Sequence, residues 1–286
     1  MTDTINVGVI GHTGRLGKPL VEMLERHPHF KIAYTESRTE GTSGNKKDAE
    51  LVFLALPKGE SESYLRDLRG KRLIDLSVDH RAAEGWTYGL PELNADEIAA
   101  AKLVANPGCY ATSVILGLAP LKGKVMHVQV ASTSGISGAG LPVKETDNFL
   151  TYDEGMVHGH IPEMERALGL EDMLFVPQRI DVAERGIVST IFAFYSHGTR
   201  ADVENVREVY ESFYATAPFV RVTDSIETRK VNGTNYCDIK VLGCGENVVV
   251  VSAIDNLIKG GAGQAIQNAN IMYGFRQATG LPTALH

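Results

Sequence analysis

The chain has 286 residues, 43% of them hydrophobic and 22% charged, with a net charge of −7. That length suits one large or two moderate domains with a sizeable core. An acidic balance without a Lys/Arg block excludes a general phosphate-backbone binder, though not a local basic pocket for a small anion.

The N-terminal MTDTINVGVIGHTG lacks a basic region followed by a long apolar stretch, and no later window is apolar enough to span a bilayer. INVGVI (5–10) is an apolar run ending in glycines, and Leu16, Leu20, Met23 and Leu24 then recur at helical spacing between Arg15 and Arg26. Strand-like runs follow at 30–36, 51–57, 71–77 and 101–107, separated by polar segments, of which GESESYLRDLRG (59–70) has a helical pattern. This alternation predicts right-handed crossovers and a parallel sheet. After residue 109 the rhythm changes to a helix, CYATSVILGLAPL, and longer strands at 125–132, 187–196, 237–242 and 247–254, interspersed with two helical segments. That half reads as α+β on a mostly antiparallel sheet. A last helix (261–275) follows a Lys-Gly-Gly turn and is expected to return to the first domain. The resulting division is 1–108 plus 259–286 and 109–258.

GHTGRLG (11–17) lies between the first strand and its helix, the context of a dinucleotide-binding turn. Gly11 permits a tight turn, Gly14 a close backbone approach to pyrophosphate and Gly17 close helix packing, while the helix N-terminus offers N–H groups to the anion. Thr13, Arg15 and Leu16 complete that candidate set. At the end of the second strand the chain reads TESRTEG, where Ser37 and Arg38 suit a 2′-phosphate and so favour NADP over NAD. Glu36 and Glu40 in the same turn oppose that preference.

The stretch ANPGCYATS (105–113) puts Cys109 behind a flexible glycine and at the first turn of a helix. There the dipole favours thiolate, and a thiol can fall below its free pKa of about 8.5 to act as a nucleophile. Cys237 and Cys244 lie in or near strands and read as structural. Three scattered cysteines give no disulfide framework, and no Cys/His cluster has zinc spacing, so no metal is expected and a reducing cytoplasm fits. A proton acceptor for Cys109 is offered by VHGHIPEMER (157–166), whose His158 and His160 stand in a loop before a helix started by Pro162. His12, His80 and His286 have no comparable setting.

These motifs together resemble the N-acetyl-γ-glutamyl-phosphate reductase family, within the aspartate-semialdehyde-dehydrogenase group. The resemblance spans nearly the whole chain, through GHTGRLG, TESR, LIDLSVDHR, YGLPELN, LVANPGCYAT, STSGISGAG, HGHIPEMER, GTNYCDI and VVSAIDNLIKGGAGQAIQNAN. It implies a Rossmann-type NADP-binding domain and a catalytic domain, and the extended antiparallel sheet of the second half predicts a homodimer or homotetramer. It further implies that Cys109 attacks an acyl phosphate, with reduction of the thioester by NADPH. His160 is then the general acid/base, with His158 second. The resemblance puts Asn256 and Gly261 beside the nicotinamide and makes Asn106, Ser134, Gly135, Gly138 and His158 substrate-binding candidates. Glu92 would orient a loop or the substrate.

Two departures stand out. The region after TESRTEG is compressed, and RIDVAE replaces a His-Leu-Val-Pro type sequence, leaving Arg179 and Arg185 as candidate anion binders. Competing readings are the same chemistry on a carrier-linked aminoadipyl phosphate or on aspartyl phosphate, and a non-catalytic nucleotide-binding regulator.

Overall fold

A computed structural model describes residues 4–139, 148–153, 156–195, 205–244 and 247–283. Gly140, Ser196 and His286, named above or ending motifs above, lie outside them. The chain divides into two compact units, Met1–Gly108 with Gly261–Pro282, and Cys109–Gly260 with Thr283–His286.

The first unit runs β1 (Ile5–Ile10), α1 (Gly17–Glu25), β2 (Phe30–Ser37), β3 (Gly41–Gly44), β4 (Leu51–Leu54), α2 (Glu62–Leu65), β5 (Arg72–Asp75), β6 (Thr87–Tyr88), α3 (Pro91–Ala100) and β7 (Leu103–Ala105). Its sheet has the order β3-β2-β1-β4-β5-β7-β6 and is parallel except for β3. All four residues of β4 are buried, as a parallel strand covered on both faces requires, which is why LVFL is an unbroken apolar run. Ile10, Tyr34, Val52, Leu54, Leu68 and Leu73 form one core cluster beside it.

Two stretches differ from the sequence expectation. The helical pattern over 59–70 condenses to the four residues of α2. Between β2 and β4 there is no α-helix; the chain folds back as antiparallel β3 and one 3₁₀ turn, Lys46–Asp48, capped by Asn45 Oδ1 accepting from the Lys47 N–H at 3.0 Å.

The second unit runs α4 (Cys109–Leu118), β8 (Val125–Gly135), β9 (Phe149–Thr151), α5 (Ile161–Leu168), β10 (Met173–Ile180), β11 (Ile187–Tyr195), α6 (Val206–Phe213), β12 (Val220–Val222), β13 (Cys237–Cys244) and β14 (Asn247–Ile254). The sheet order is β12-β13-β14-β11-β8-β10-β9, antiparallel except for β8–β10 and β12–β13. The fold is thus a Rossmann-type α/β unit with an α+β unit on a mostly antiparallel sheet.

Strand β10 is not among the runs read from sequence, because Pro177 in its middle argues against a central strand. The Pro177 carbonyl accepts the Tyr152 N–H at 3.3 Å, so residue 177 faces β9 and not β8, and the β9 ladder, confined to Gln178, Arg179 and Ile180, needs no N–H there.

Helix α4 packs on β11 and β14, so closely that a Cβ at Gly117 would stand 2.7 Å from Ile191 Cδ1. Residues 110–118 are all buried. The sheet also exposes large apolar side chains at Leu174, Phe192 and Leu242. Leu174 and Phe192 both pair with Gln129, and Phe192 and Leu242 both pair with Val249, so all three share one face.

After β14 a π-helical segment, Ile258–Ala262, leads into α7 (Gly263–Met272). Helix α7 packs on α3 and α1 of the first unit. Among the described residues no helix is long and apolar enough to cross a membrane.

Candidate active site

In the first unit the glycine turn meets the steric demands of a dinucleotide cradle. Gly11 has φ +87, and a Cβ there would lie 2.2 Å from the Ala55 carbonyl; at Gly17 a Cβ would stand 2.1 Å from the Gly11 carbonyl. A side chain at either position would therefore fill the turn. Gly14 and Arg15 are exposed, and the first turn of α1 has neither an acidic residue nor a side-chain cap, which suits an anion at its positive end. The residues present fit a bound NADP. The 37–40 loop folds back on the turn, with Thr13 Oγ1 3.0 Å from Thr39 Oγ1 and His12 Nε2 3.2 Å from Glu40. Ser37 Oγ accepts from the Glu40 N–H at 3.0 Å, and the exposed Arg38 pairs with Glu60 at 3.2 Å.

The segment that leads to Cys109 is clamped at Asn106, whose four polar groups all have partners. Its N–H donates to the Asp75 carbonyl (2.7 Å) and its carbonyl accepts from Arg81 Nε (2.9 Å). Its Nδ2 donates to the Gly261 carbonyl (3.1 Å) and its Oδ1 accepts from Asn268 Nδ2 (3.0 Å). Asn268 also donates to the Gly89 carbonyl at 2.9 Å, where a Cβ on Gly89 would collide with that amide. Asn106 is buried, so its amide is committed to holding the chain three residues before the cysteine.

Cys109 opens α4 in the second unit and is partly exposed. The π-helical turn presses against it: a Cβ at Gly260 would lie 2.7 Å from Cys109 Cβ, which explains the glycine in KGG. Tyr110 and Tyr152 stand near the cysteine, and the rings of His158 and His160 lie 5.4 and 6.0 Å from that of Tyr110. The Tyr110 hydroxyl donates to the Gln178 carbonyl (2.8 Å), so the Tyr152 hydroxyl, also 2.8 Å away, is the donor to Tyr110. Burial first, with the negative charge of a Cys109 thiolate adding to it, raises both phenols, Tyr152 to about 12, so both remain protonated near the sulfur.

His158 and His160 meet edge to face with ring centroids 4.6 Å apart, and His158 lies 5.4 Å from the Tyr110 ring. The His160 backbone N–H donates to His158 Nδ1 at 3.2 Å, so His158 holds a lone pair there and a proton on Nε2 when neutral. His160 caps α5 with Pro162 in its first turn, and Gly169 at φ +67 closes that helix. The loop thus anchors the His158 ring by one backbone hydrogen bond and brings both imidazoles against Tyr110. Tyr110, Tyr152 and Gln178 escaped the sequence reading; Tyr110 directly follows the cysteine, but nothing in the sequence joins it to Tyr152.

The other candidates are placed as follows. Ser134 reaches the Tyr110 hydroxyl and also donates to the Gly135 carbonyl at 3.1 Å. The N–H groups of Gly135, Ile136 and Ser137 donate to the carbonyls of Gly186, Ala183 and Glu184, so they serve the loop itself and not an anion. A Cβ at Gly138 would come 2.2 Å from Ser134 Oγ. Asn256 bridges this loop, accepting from the Gly186 N–H (2.8 Å) and donating to Ser137 Oγ (3.0 Å). Arg185 pairs with the buried Asp255 at 3.2 Å and Arg179 with Asp181 at 2.6 Å, so both cations are compensated. Gly261 is buried in the first unit, whereas Asn256 belongs to the second. Glu92 accepts from Gln267 Nε2 at 3.2 Å and so joins α3 to α7. Cys237 is buried in β13 and Cys244 ends that strand exposed. Among the described residues no group of three or more His, Cys, Asp or Glu side chains could hold a metal ion.

The two units and this site define a class. Residues 109–256 match the family model described as semialdehyde dehydrogenase, dimerisation domain, and residues 42–101 match semialdehyde dehydrogenase, NAD binding domain. Among solved structures, aspartate semialdehyde dehydrogenase II from Vibrio cholerae superposes with TM-score 0.76 at 14% identity, covering 94% of this chain and 98% of that one. The aspartate semialdehyde dehydrogenase of Candida albicans, solved with NADP, superposes with TM-score 0.72 at 17% identity over 94% and 98%. These likenesses concern the fold.

Sequence relatives are more specific. The N-acetyl-gamma-glutamyl-phosphate reductase of Desulforudis audaxviator is 36% identical, covering 97% of this chain and 98% of the relative. That of Geobacter metallireducens is 38% identical over 97% and 98%, and that of Methanocaldococcus jannaschii 36% over 96% and 97%. The chain belongs to the N-acetyl-gamma-glutamyl-phosphate reductase family. The first alignment extends over 342 positions against 286 residues here, so that relative carries segments this chain lacks.

Proposed function

We propose that the protein reduces N-acetyl-γ-glutamyl phosphate with NADPH to N-acetylglutamate 5-semialdehyde and phosphate, a step of arginine biosynthesis. The observation that carries this reading is Cys109 at the start of α4 near Tyr110 and Tyr152, with the His158/His160 pair against the Tyr110 ring, in a chain related over 97% of its length to a reductase of that name. Cys109 Sγ attacks the acyl carbon, the carbon–oxygen bond to phosphorus breaks, and phosphate leaves with the bonding pair; the product is a thioester on Cys109. His160 takes the thiol proton before attack, and His158 stands second for that role. NADPH, held by the glycine turn, would supply the hydride that reduces the thioester. The alkoxide so formed on Cys109 collapses to the aldehyde and expels Cys109 as thiolate, which takes its proton back from the His160 imidazolium. The dipole of α4 stabilises the developing oxyanion.

Gly11, Thr13, Gly14, Arg15, Leu16 and Gly17 would hold the pyrophosphate side of NADP, and Ser37 with Arg38 its 2′-phosphate. Asn106 is better understood as a positioning residue than as a substrate ligand, because its polar groups are engaged. The same reading puts the protein in the cytoplasm, where a nucleophilic thiol stays reduced.

A homodimer belongs to this proposal. Support comes from the exposed apolar face carrying Leu174, Phe192 and Leu242 and from the description of the matching family model. Phe192→Asp should shift the mass measured by light scattering to that of one chain; an unchanged mass would remove that face from the interface.

The reverse assay tests the chemistry, with N-acetylglutamate 5-semialdehyde, phosphate and NADP as substrates and NADPH absorbance as readout. Cys109→Ala should lose turnover by on the order of a thousandfold or more. Robust turnover in that variant would end the thioester mechanism, and activity with aspartate semialdehyde alone would overturn the substrate.

A further inference from the structure

Beta strand β2 ends one residue after Glu36, and the Glu36 carbonyl accepts the Gly11 N–H at 2.7 Å, which fastens this strand end to the glycine turn. In dinucleotide-binding folds an acidic side chain at this place accepts the ribose 2′-hydroxyl of NAD, and a 2′-phosphate is repelled by it. Glu36 therefore stands where an NAD-type acid stands, although Ser37 and Arg38 beside it suit NADP.

The carboxylate, however, is already enclosed. Tyr34, two residues earlier on the same face of β2, donates its hydroxyl to Glu36 Oε2. Tyr64 of α2 donates to Oε1 at 3.2 Å, and Lys46 Nζ lies 3.5 Å from Oε2. Lys46 also stands over both rings, 5.5 Å from the Tyr34 centroid and 5.7 Å from that of Tyr64. Burial alone would raise the carboxyl, but the Tyr34 hydrogen bond and the Lys46 charge prevail and hold it below its ordinary value, so Glu36 is ionised and compensated. Lys46 comes from the 3₁₀ turn of the short β2-to-β4 connection, so the segment that replaces a crossover helix delivers the neutralising charge.

We propose that Lys46, assisted by Tyr64, is a specificity-determining residue: it masks Glu36 as a ribose acceptor and cancels its charge, so that the turn accepts the 2′-phosphate of NADP. The inference rests on the cofactor reading given above. Lys46 acts through Glu36, not as a phosphate ligand, and this separates it from Arg38. Removing Lys46 should leave an uncompensated carboxylate that repels a dianion and offers an acceptor to a ribose hydroxyl.

The test is equilibrium binding of NADPH and NADH to the whole protein, followed by nucleotide fluorescence, with turnover as a second readout. Lys46→Ala should weaken NADPH by about tenfold, as one lost near-surface charge pair implies, while NADH binds as well as before or better. In the Lys46→Ala/Glu36→Gln protein, NADPH binding should return to within about threefold of the parent. Tyr64→Phe, which keeps the ring, should move the NADPH/NADH ratio in the same direction by about threefold, the worth of one hydrogen bond. Circular dichroism checks that each variant is folded; if Lys46→Ala is not, Tyr64→Phe with and without Glu36→Gln gives the same comparison. An equal loss of NADPH affinity with and without the Glu36 charge would overturn the inference and make Lys46 a direct ligand, leaving the function intact. Failure of the unaltered protein to bind either nucleotide would overturn both.

Discussion

Helices α4 and α7 are buried almost to the same degree, yet by different chemistry. The nine residues of α4 after Cys109 are buried with Val114, Ile115, Leu116 and Leu118 among them, and the helix is held by close contact with the sheet. In α7 residues 263–270 are buried too, but they include Gln264, Gln267, Asn268 and Asn270. Burying an amide costs free energy unless it is hydrogen-bonded, and a hydrogen bond has direction where apolar contact has none. Apolar packing carries most of α4, which is also bonded through Ser113 to Ser189 (2.8 Å) and Ser252 (2.7 Å) and at the Gly117 carbonyl by Tyr210 (2.6 Å). Helix α7, by contrast, fixes through the amides of Gln267, Asn268 and Asn270 the orientation of what they grip. It grips the carbonyls of Gly89 and Thr279 and the side chains of Asn106, Glu92 and Gln277.

Substitutions in the two helices should separate these roles. Asn268→Asp replaces the donor to Asn106 Oδ1 and the Gly89 carbonyl by an acceptor, and turnover should fall by about a hundredfold, chiefly in kcat. Asn268→Ala should fall by about tenfold, the milder change because nothing then repels the two oxygens. Ile115→Ala should instead cost about 3 kcal/mol of stability by leaving a cavity, with turnover per folded molecule nearly unchanged. The checks are thermal melts alongside steady-state rates. An Asn268→Asp protein that melts early but turns over normally would mean that α7 is ordinary core.

The contrast also marks what could be read in advance. The strands β1, β4, β5 and β7 are legible because buried parallel strands carry near-continuous apolar runs. Strand β10 is masked by Pro177, and β3 and β6 are too short and polar to declare themselves. Within the site, Cys109 and the His158/His160 loop are visible because each carries its chemistry in adjacent residues. The clamp on Asn106 joins residues 75, 81, 261 and 268, and the enclosure of Glu36 joins 34, 46 and 64. No local pattern announces a contact of that sequence separation.

The smallest expected effect concerns the far end of α7, where His27 packs against Asn270. Its Nδ1 accepts the N–H groups of His29 (3.2 Å) and Phe30 (3.1 Å), so the proton of the neutral ring is on Nε2, 3.0 Å from Asn270 Oδ1 and 3.1 Å from the Thr279 carbonyl. Burial lowers its pKa from 6.5, outweighing the two bonds at Nε2. Protonation is then easier in the unfolded chain, so unfolding takes up a proton once the pH is below the unfolded value. Stability is full above pH 6.5 and declines as the pH falls toward the lowered folded value, with a slope of at most about 1.4 kcal/mol per pH unit for one proton. His27→Gln keeps a donor toward Thr279 but cannot titrate, so urea midpoints measured between about pH 7 and pH 5 should fall less steeply than in the parent. Equal slopes would show that the imidazole is not the group that senses acid at this end of α7, and that directional bonding there carries no proton linkage.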